Sequence, residues 1–271
     1  MFDTQVPQTH PLFTYYPPLD ATTVGIVSIP HSGEDIPEEF KPYLCADLLT
    51  MREDVDYKVH ELVDIEALQK NGVGVMVAHV HRVCVDLNRS EENCVMFWKE
   101  NTKGVPLIGK SFSREEEEFF IRKFHKPFFE IYESLIRDFS RKLKVRLPVV
   151  DLHSMPSRPT AYHMKQNPNQ KTTRADFCVS DQHGKTCRPD FIDFFAQRLK
   201  TKGFSVAVND PYIGGFVTTF VNRFETENIQ IEINRAIYMD EEKKELLSHL
   251  VPKLKTDLTQ ILIEGLTRFS R

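Results

Sequence analysis

The chain lacks any apolar run of about 18 or more residues, the length a membrane-spanning helix needs, so no membrane partner is expected. Met1 to Pro18 has neither the basic start nor the apolar stretch of a secretion leader, which points to a cytoplasmic protein. Basic charge is also short. The 35 Lys and Arg against 39 Asp and Glu give a net charge of -4, so the positive field that a phosphate backbone requires is missing and nucleic acid is excluded as an expected partner. Cysteine is sparse and unpaired: Cys45, Cys84, Cys94, Cys178 and Cys187 are scattered without a CxxC step, which removes a structural zinc knuckle or redox motif and leaves reduced packing residues. There is no internal repeat and no linker-like segment.

What remains is an ordinary globular composition, 41% hydrophobic and 27% charged over 271 residues, enough for a single domain over 1–271 with a substantial core. Short valine- and isoleucine-rich runs predict strands at Val24 to Ile29, Val73 to Val80, Val83 to Leu87, Pro148 to Leu152, Ser205 to Val208 and Ile229 to Ile233. Helical spacing predicts helices at Tyr57 to Gln69, Ser113 to Lys142, Pro189 to Lys202 and Glu241 to Phe269. Ser113 with Glu116 forms a capping box, and Pro127 should kink or divide the second helix. The loop from His153 to about Arg174 is long enough to be a lid. This alternation predicts an α/β fold of three layers, a mainly parallel sheet covered on both faces, with ligands gathered beyond the carboxyl ends of its strands.

Reading the residues at those ends gives His31, Arg82, Asn88, Arg89, His153, Asn209 and Asp210. His31 and His153 each follow a separate apolar strand, and two imidazoles converging on one rim suit a metal site whose third ligand is a carboxylate. Glu34 offers HxxE spacing with His31, while Asp54 and Asp56 precede the next helix, where capping is an alternative role. Glu232 lies in the alternating segment Ile229 to Asn234. In a sheet covered on both faces an acid there needs a partner, and it reads as the general base. Arg82, Arg89 and Arg235 are candidates for substrate carboxylates, since a guanidinium pairs with them bidentately.

Five segments in order, Ile29-Pro30-His31-Ser32-Gly33, Val85-Asp86-Leu87-Asn88-Arg89, Asp151 to Ser157, Val208-Asn209-Asp210-Pro211-Tyr212 and Gln230 to Arg235, resemble N-formylglutamate amidohydrolases, over about residues 24 to 240. The resemblance implies a zinc-peptidase-like (phosphorylase/hydrolase-like) fold and hydrolysis of N-formyl-L-glutamate to L-glutamate and formate in histidine breakdown. It also implies Zn2+ held by His31, Asp56 and His153, because Asp56 to Val63 is similar to the family's acidic segment, whereas the family often lacks an acid where Glu34 stands. The order of strand-end His, acid, strand-end His and late strand Glu is similar to that of zinc-dependent cell-wall amidases, which supports Glu232 as base; Arg82, Arg89, Asn209 and Arg235 are the expected substrate contacts. Two alternatives keep the fold: a zinc amidase for another N-acyl amino acid or a peptidoglycan fragment, and a non-catalytic binding protein. One departure bears on the pocket: Glu91 to Gly109 is unlike the family's usual continuation, and Ser90 stands where proline is frequent.

Overall fold

The computed structural model describes residues 8–19 and 23–271. Residues 1–7, part of the segment read above for a leader, lie outside the described residues. Eight strands form one sheet: β1 (Gln8–His10), β2 (Phe13–Tyr16), β3 (Gly25–Ile29), β4 (Val73–Ala78), β5 (Pro148–Met155), β6 (Phe177–Ser180), β7 (Val206–Val208) and β8 (Glu227–Asn234). Their order is β1-β2-β4-β3-β5-β8-β6-β7. The four central strands are mutually parallel, while β2 and β6 join them antiparallel. The mainly parallel sheet expected from the sequence is therefore present, with mixed edges.

Helices cover both faces. The helices are α1 (Leu48–Met51), α2 (Ile65–Lys70), α3 (Arg114–Phe120), α4 (Lys126–Lys142), α5 (Ala161–Gln166), α6 (Pro189–Thr201), α7 (Phe216–Asn222) and α8 (Val251–Phe269). Val27, Val75, Val150, Leu152, Ile229, Ile231 and Ile233 point to the layer of α2, α6 and α8. Ile26, Met76 and Val149 point to the layer of α4 and α7 with Phe128, Tyr132 and Phe220. Each such branched or aromatic side chain contributes roughly 1.5–3 kcal/mol on burial, which fixes the strand register, since a one-residue slip would swap the faces. In β8 this register sends the three isoleucines to one layer and Asn228, Gln230 and Glu232 to the other. All eight residues of β8 are buried. No helix among the described residues is long and apolar enough to cross a membrane.

Several elements depart from the sequence expectation. Val83 to Leu87 is no strand: it turns back after β4, with the amides of Cys84 and Val85 both bonded to His81 O and a single bridge from Val85 to Val95. Its valines are buried all the same, so apolar content alone could not separate a strand from an anchored loop. The helix from Tyr57 to Gln69 is split into a 3-10 turn, Val59–Leu62, and α2, because Asp64 caps a fresh start by accepting from Ala67 N at 3.0 Å. The last helix begins at Val251 instead of Glu241, after a small hairpin of Met239–Asp240 and Glu245–Leu246. The Ser113 capping box forms, and the break near Pro127 is a widened π turn over Ile121–His125. Strands β1, β2 and β6 were not expected, being only three or four residues long.

Candidate active site

The loop after β3 carries His31. Gly33 is required there: a Cβ at that position would sit 2.2 Å from the His79 carbonyl, so any side chain would push the loop off the sheet. The same loop fixes Asp56, whose N–H donates to His31 O at 3.0 Å. His153 occupies the sixth position of β5, and its cross-strand partner in β8 is Glu232. His31, Asp56 and His153 are each about 2% exposed, and one ligand atom of each lies within 4.8 Å of the others. Asp56 Oδ2 is 3.7 Å from His31 Nδ1 and 3.0 Å from His153 Nδ1.

The far side of each ring fixes its tautomer. His31 Nε2 lies 2.7 Å from Asp86 Oδ1, and His153 Nε2 lies 2.8 Å from Asp151 Oδ2. A carboxylate can only accept, so both Nε2 atoms carry a proton, and both Nδ1 atoms face Asp56. Nδ1 and a carboxylate oxygen 3.0 Å apart repel unless a cation or a proton lies between them. Two imidazoles oriented by carboxylates, with one ligand carboxylate, are a donor set that suits a catalytic divalent metal such as zinc. In the protein alone, burial disfavours the His153 imidazolium, but Asp151 and Asp56 outweigh it and hold its pKa well above the usual value. Asp56 is correspondingly held low: burial opposes its charge, and the hydrogen bond and charge of His153 prevail. His31 is shifted down, by burial first and Arg82 second.

Glu232 shares this cavity of about 420 Å³. Burial, reinforced by Asp56, pushes its carboxyl up to about 8, against the pull of His153, Arg82 and Arg235. Gln230, two residues earlier on the same face of β8, donates from Nε2 to Glu232 Oε1 at 2.8 Å and so fixes the carboxylate plane. Asp86 is a second junction. Besides His31 Nε2 it accepts from Arg82 Nη2 at 2.8 Å, Trp98 Nε1 at 2.8 Å and Asn88 N at 3.0 Å, with Arg89 Nε at 3.4 Å.

Four arginines line the cavity. Arg82 spends its Nη1 on Asp54 O at 3.1 Å and its Nη2 on Asp86. Arg235 donates to Ser154 Oγ, Glu53 O and, at 3.5 Å, Asp56 Oδ1. Arg174 holds Pro156 O, Gln170 Oε1 and, at 3.3 Å, the Tyr212 hydroxyl. That hydroxyl also meets His163 Nε2 at 3.1 Å. His163 Nδ1 accepts from Thr160 N, so its Nε2 is the donor and the Tyr212 proton is left to point elsewhere in the cavity. Residues of the long loop, including Tyr162 and Gln170, form one wall, as a lid would.

Of the acids weighed as third ligand, only Asp56 joins the histidine cluster among the described residues. Glu34 instead pairs with Arg52 at 2.5 Å, and the Asp54 carboxylate is taken up by Thr102 N and Oγ1. Asn209 does not line the cavity. It sits after the outermost strand with φ 53° and exchanges hydrogen bonds with Asp181, bracing the loop behind Tyr212. Asp86, Asp151, Gln230, Arg174 and Tyr212 were not singled out from the sequence. Asp151 and Gln230 could have been, because a strand's period of two puts each on the face of its functional neighbour.

Fold and site together define an α/β protein with a His-Asp-His cluster able to hold a metal ion. The N-formylglutamate amidohydrolase family model matches residues 25–239, more than half of the chain, and the chain belongs to that family, hydrolases acting on amide bonds. Among solved structures, N-formylglutamate amidohydrolase from Ralstonia eutropha JMP134 is similar at 23% identity and a TM-score of 0.83, over 95% of this chain and 98% of that one. Gene product Atu2144 from Agrobacterium tumefaciens is similar at 16% identity and a TM-score of 0.63, over 93% and 96%. At these identities the two likenesses concern the fold. No curated protein sequence matches the chain.

Proposed function

We propose that the chain hydrolyses N-formyl-L-glutamate to L-glutamate and formate, with zinc or another divalent ion held by His31, Asp56 and His153. The observation that carries this is the pair of imidazoles turned by Asp86 and Asp151 so that both Nδ1 atoms face Asp56, with Glu232 in the same cavity. When bound, the ion supplies Lewis acidity, making water a better nucleophile near neutral pH and polarising the amide carbonyl. Glu232, held by Gln230 through one oxygen, accepts the proton of the attacking water and returns it to the leaving amine nitrogen. Arg82 and Arg235 are neutralised in part by Asp86 and Asp56, and with Arg89 and Arg174 they favour an anionic substrate. Asn209 acts behind the wall instead of touching the substrate.

The cavity is lined by four arginines and by four acids, Asp54, Asp56, Asp86 and Glu232. A divalent ion tips this balance positive, even with Asp151 behind His153 counted, which matches a small dicarboxylate. The proposal carries with it one domain over 1–271, a cytoplasmic location and a place in histidine breakdown. The test is formate release from a panel of N-formyl and N-acetyl amino acids by the zinc-loaded chain. N-formyl-L-glutamate is expected to give the highest kcat/KM. A clear preference for an uncharged or peptidoglycan-type amide would move the substrate assignment to the second amidase, and no release from any member would favour a binding protein.

A further inference from the structure

The four arginines differ in what they have left to offer. Both terminal nitrogens of Arg82 and of Arg174 are bonded to protein, as are those of Arg235. Arg89 is different: among the described residues its guanidinium has one polar contact, the 3.4 Å ion pair of Nε with Asp86, and Nη1 and Nη2 have no hydrogen-bond partner there. Its guanidinium is nonetheless held still, lying 3.6 Å from the centroid of Phe97 and 5.2 Å from that of Trp98. Stacking fixes the plane of the fork while leaving its edge free, the arrangement that recognises a carboxylate bidentately. Arg82 and Arg89 share one carboxylate, Asp86, and Asp56 and Asp54 add their charge at Arg82.

The neighbouring residue completes the arrangement. Asn88 Oδ1 accepts from Val217 N at 2.8 Å, which leaves Nδ2, a donor with two hydrogens, without a hydrogen-bond partner among the described residues at the cavity wall. Asn88 fits there only because residue 215 is glycine: a Cβ would come within 2.2 Å of Nδ2. The side chain of Arg89 is 30% exposed, against 15% for Arg82 and 6% for Arg235, which puts it at the mouth, while the ligand cluster lies at the floor. Phe97 and Trp98 come from the segment Glu91 to Gly109 that departs from the family pattern.

We infer that Arg89, stacked on Phe97, and Asn88 form the clamp for the substrate's side-chain carboxylate and so determine specificity for an acidic over a neutral side chain. This rests on the amidohydrolase reading, in which the scissile amide is at the floor and the side-chain carboxylate is the group farthest from it. Arg89→Ala and Arg89→Lys are compared with the parent chain, all zinc-loaded, on N-formyl-L-glutamate and its neutral isostere N-formyl-L-glutamine. The preference for the acid, as a ratio of kcat/KM, is expected to fall at least tenfold in both variants, chiefly through KM, because lysine keeps the charge but not the fork. An unchanged ratio in either variant overturns the clamp. Binding of glutarate, which has both carboxylates but no amide to cleave, is measured by calorimetry alongside and is expected to weaken at least tenfold in Arg89→Ala. Equal affinity also overturns the clamp. Glutarate affinity that depends on Arg89 in a chain that releases no formate supports the clamp and overturns the substrate reading.

Discussion

Replacing Glu232 by glutamine is expected to leave bound metal unchanged and to lower turnover by about 10²-fold or more, the scale of general acid–base catalysis. The amide keeps the size of the side chain and its reach but cannot take a proton. Gln230 Nε2 now donates to Glu232 Oε1, and it can donate to the amide oxygen of the variant in the same way, so the side chain should stay in place. A purely structural role predicts the reverse pattern. Glu232 is buried and raised in pKa by that burial, so neutralising it would relieve strain, leave turnover near normal and raise the melting temperature. Loss of metal would instead place Glu232 among the ligands. Metal content, melting temperature and turnover measured on one preparation distinguish the three.

Asp56→Ala should be more damaging still, because Asp56 serves the metal and the buried cations together. Its carboxylate faces His31, His153, Ser154 and Arg235, all of them buried. Deleting it leaves Arg235 without its carboxylate and His153 with only Asp151, and breaking a buried pair typically costs about 3–5 kcal/mol. Metal content and activity are both expected to fall to background. Glu34→Ala is the comparison: Glu34 and Arg52 are each about a quarter exposed, and such a surface pair contributes roughly 0–1 kcal/mol. It should retain metal and stability. Metal loss in Glu34→Ala that matches or exceeds the loss in Asp56→Ala would restore the HxxE pair as the ligand set.

That the strand-end histidines and Glu232 lie together in one cavity was legible because a sheet covered on both faces buries polar residues only where they have partners. The HxxE spacing misdirects for a local reason. Gly33 turns the chain so that Glu34 leaves the cavity toward Arg52, while a backbone hydrogen bond returns Asp56 to His31. Neither contact has a spacing rule. Asn209 shows the limit of reading every strand end as a site residue. It follows β7, the last strand in the sheet order, and strand order is a tertiary property that no local pattern carries. Arg174 and Tyr212 come from loops whose course depends on packing against each other. Val83 to Leu87 is as apolar as a strand, so local pattern alone does not separate the two. The buried Asp86 anchors it from both directions, which binds the chain into a loop and turns Arg82 and Arg89 toward the cavity.

Hydrolysis is expected to depend on an ion in the His31, Asp56 and His153 cluster. This dependence is tested most directly by following formate release from N-formyl-L-glutamate while zinc is titrated into chelator-stripped protein and bound metal is counted in the same samples. Activity is expected to be absent from the stripped chain and to rise with occupancy up to one ion per chain. It should not return in His153→Ala under the same titration. Full activity in metal-free protein would contradict the account.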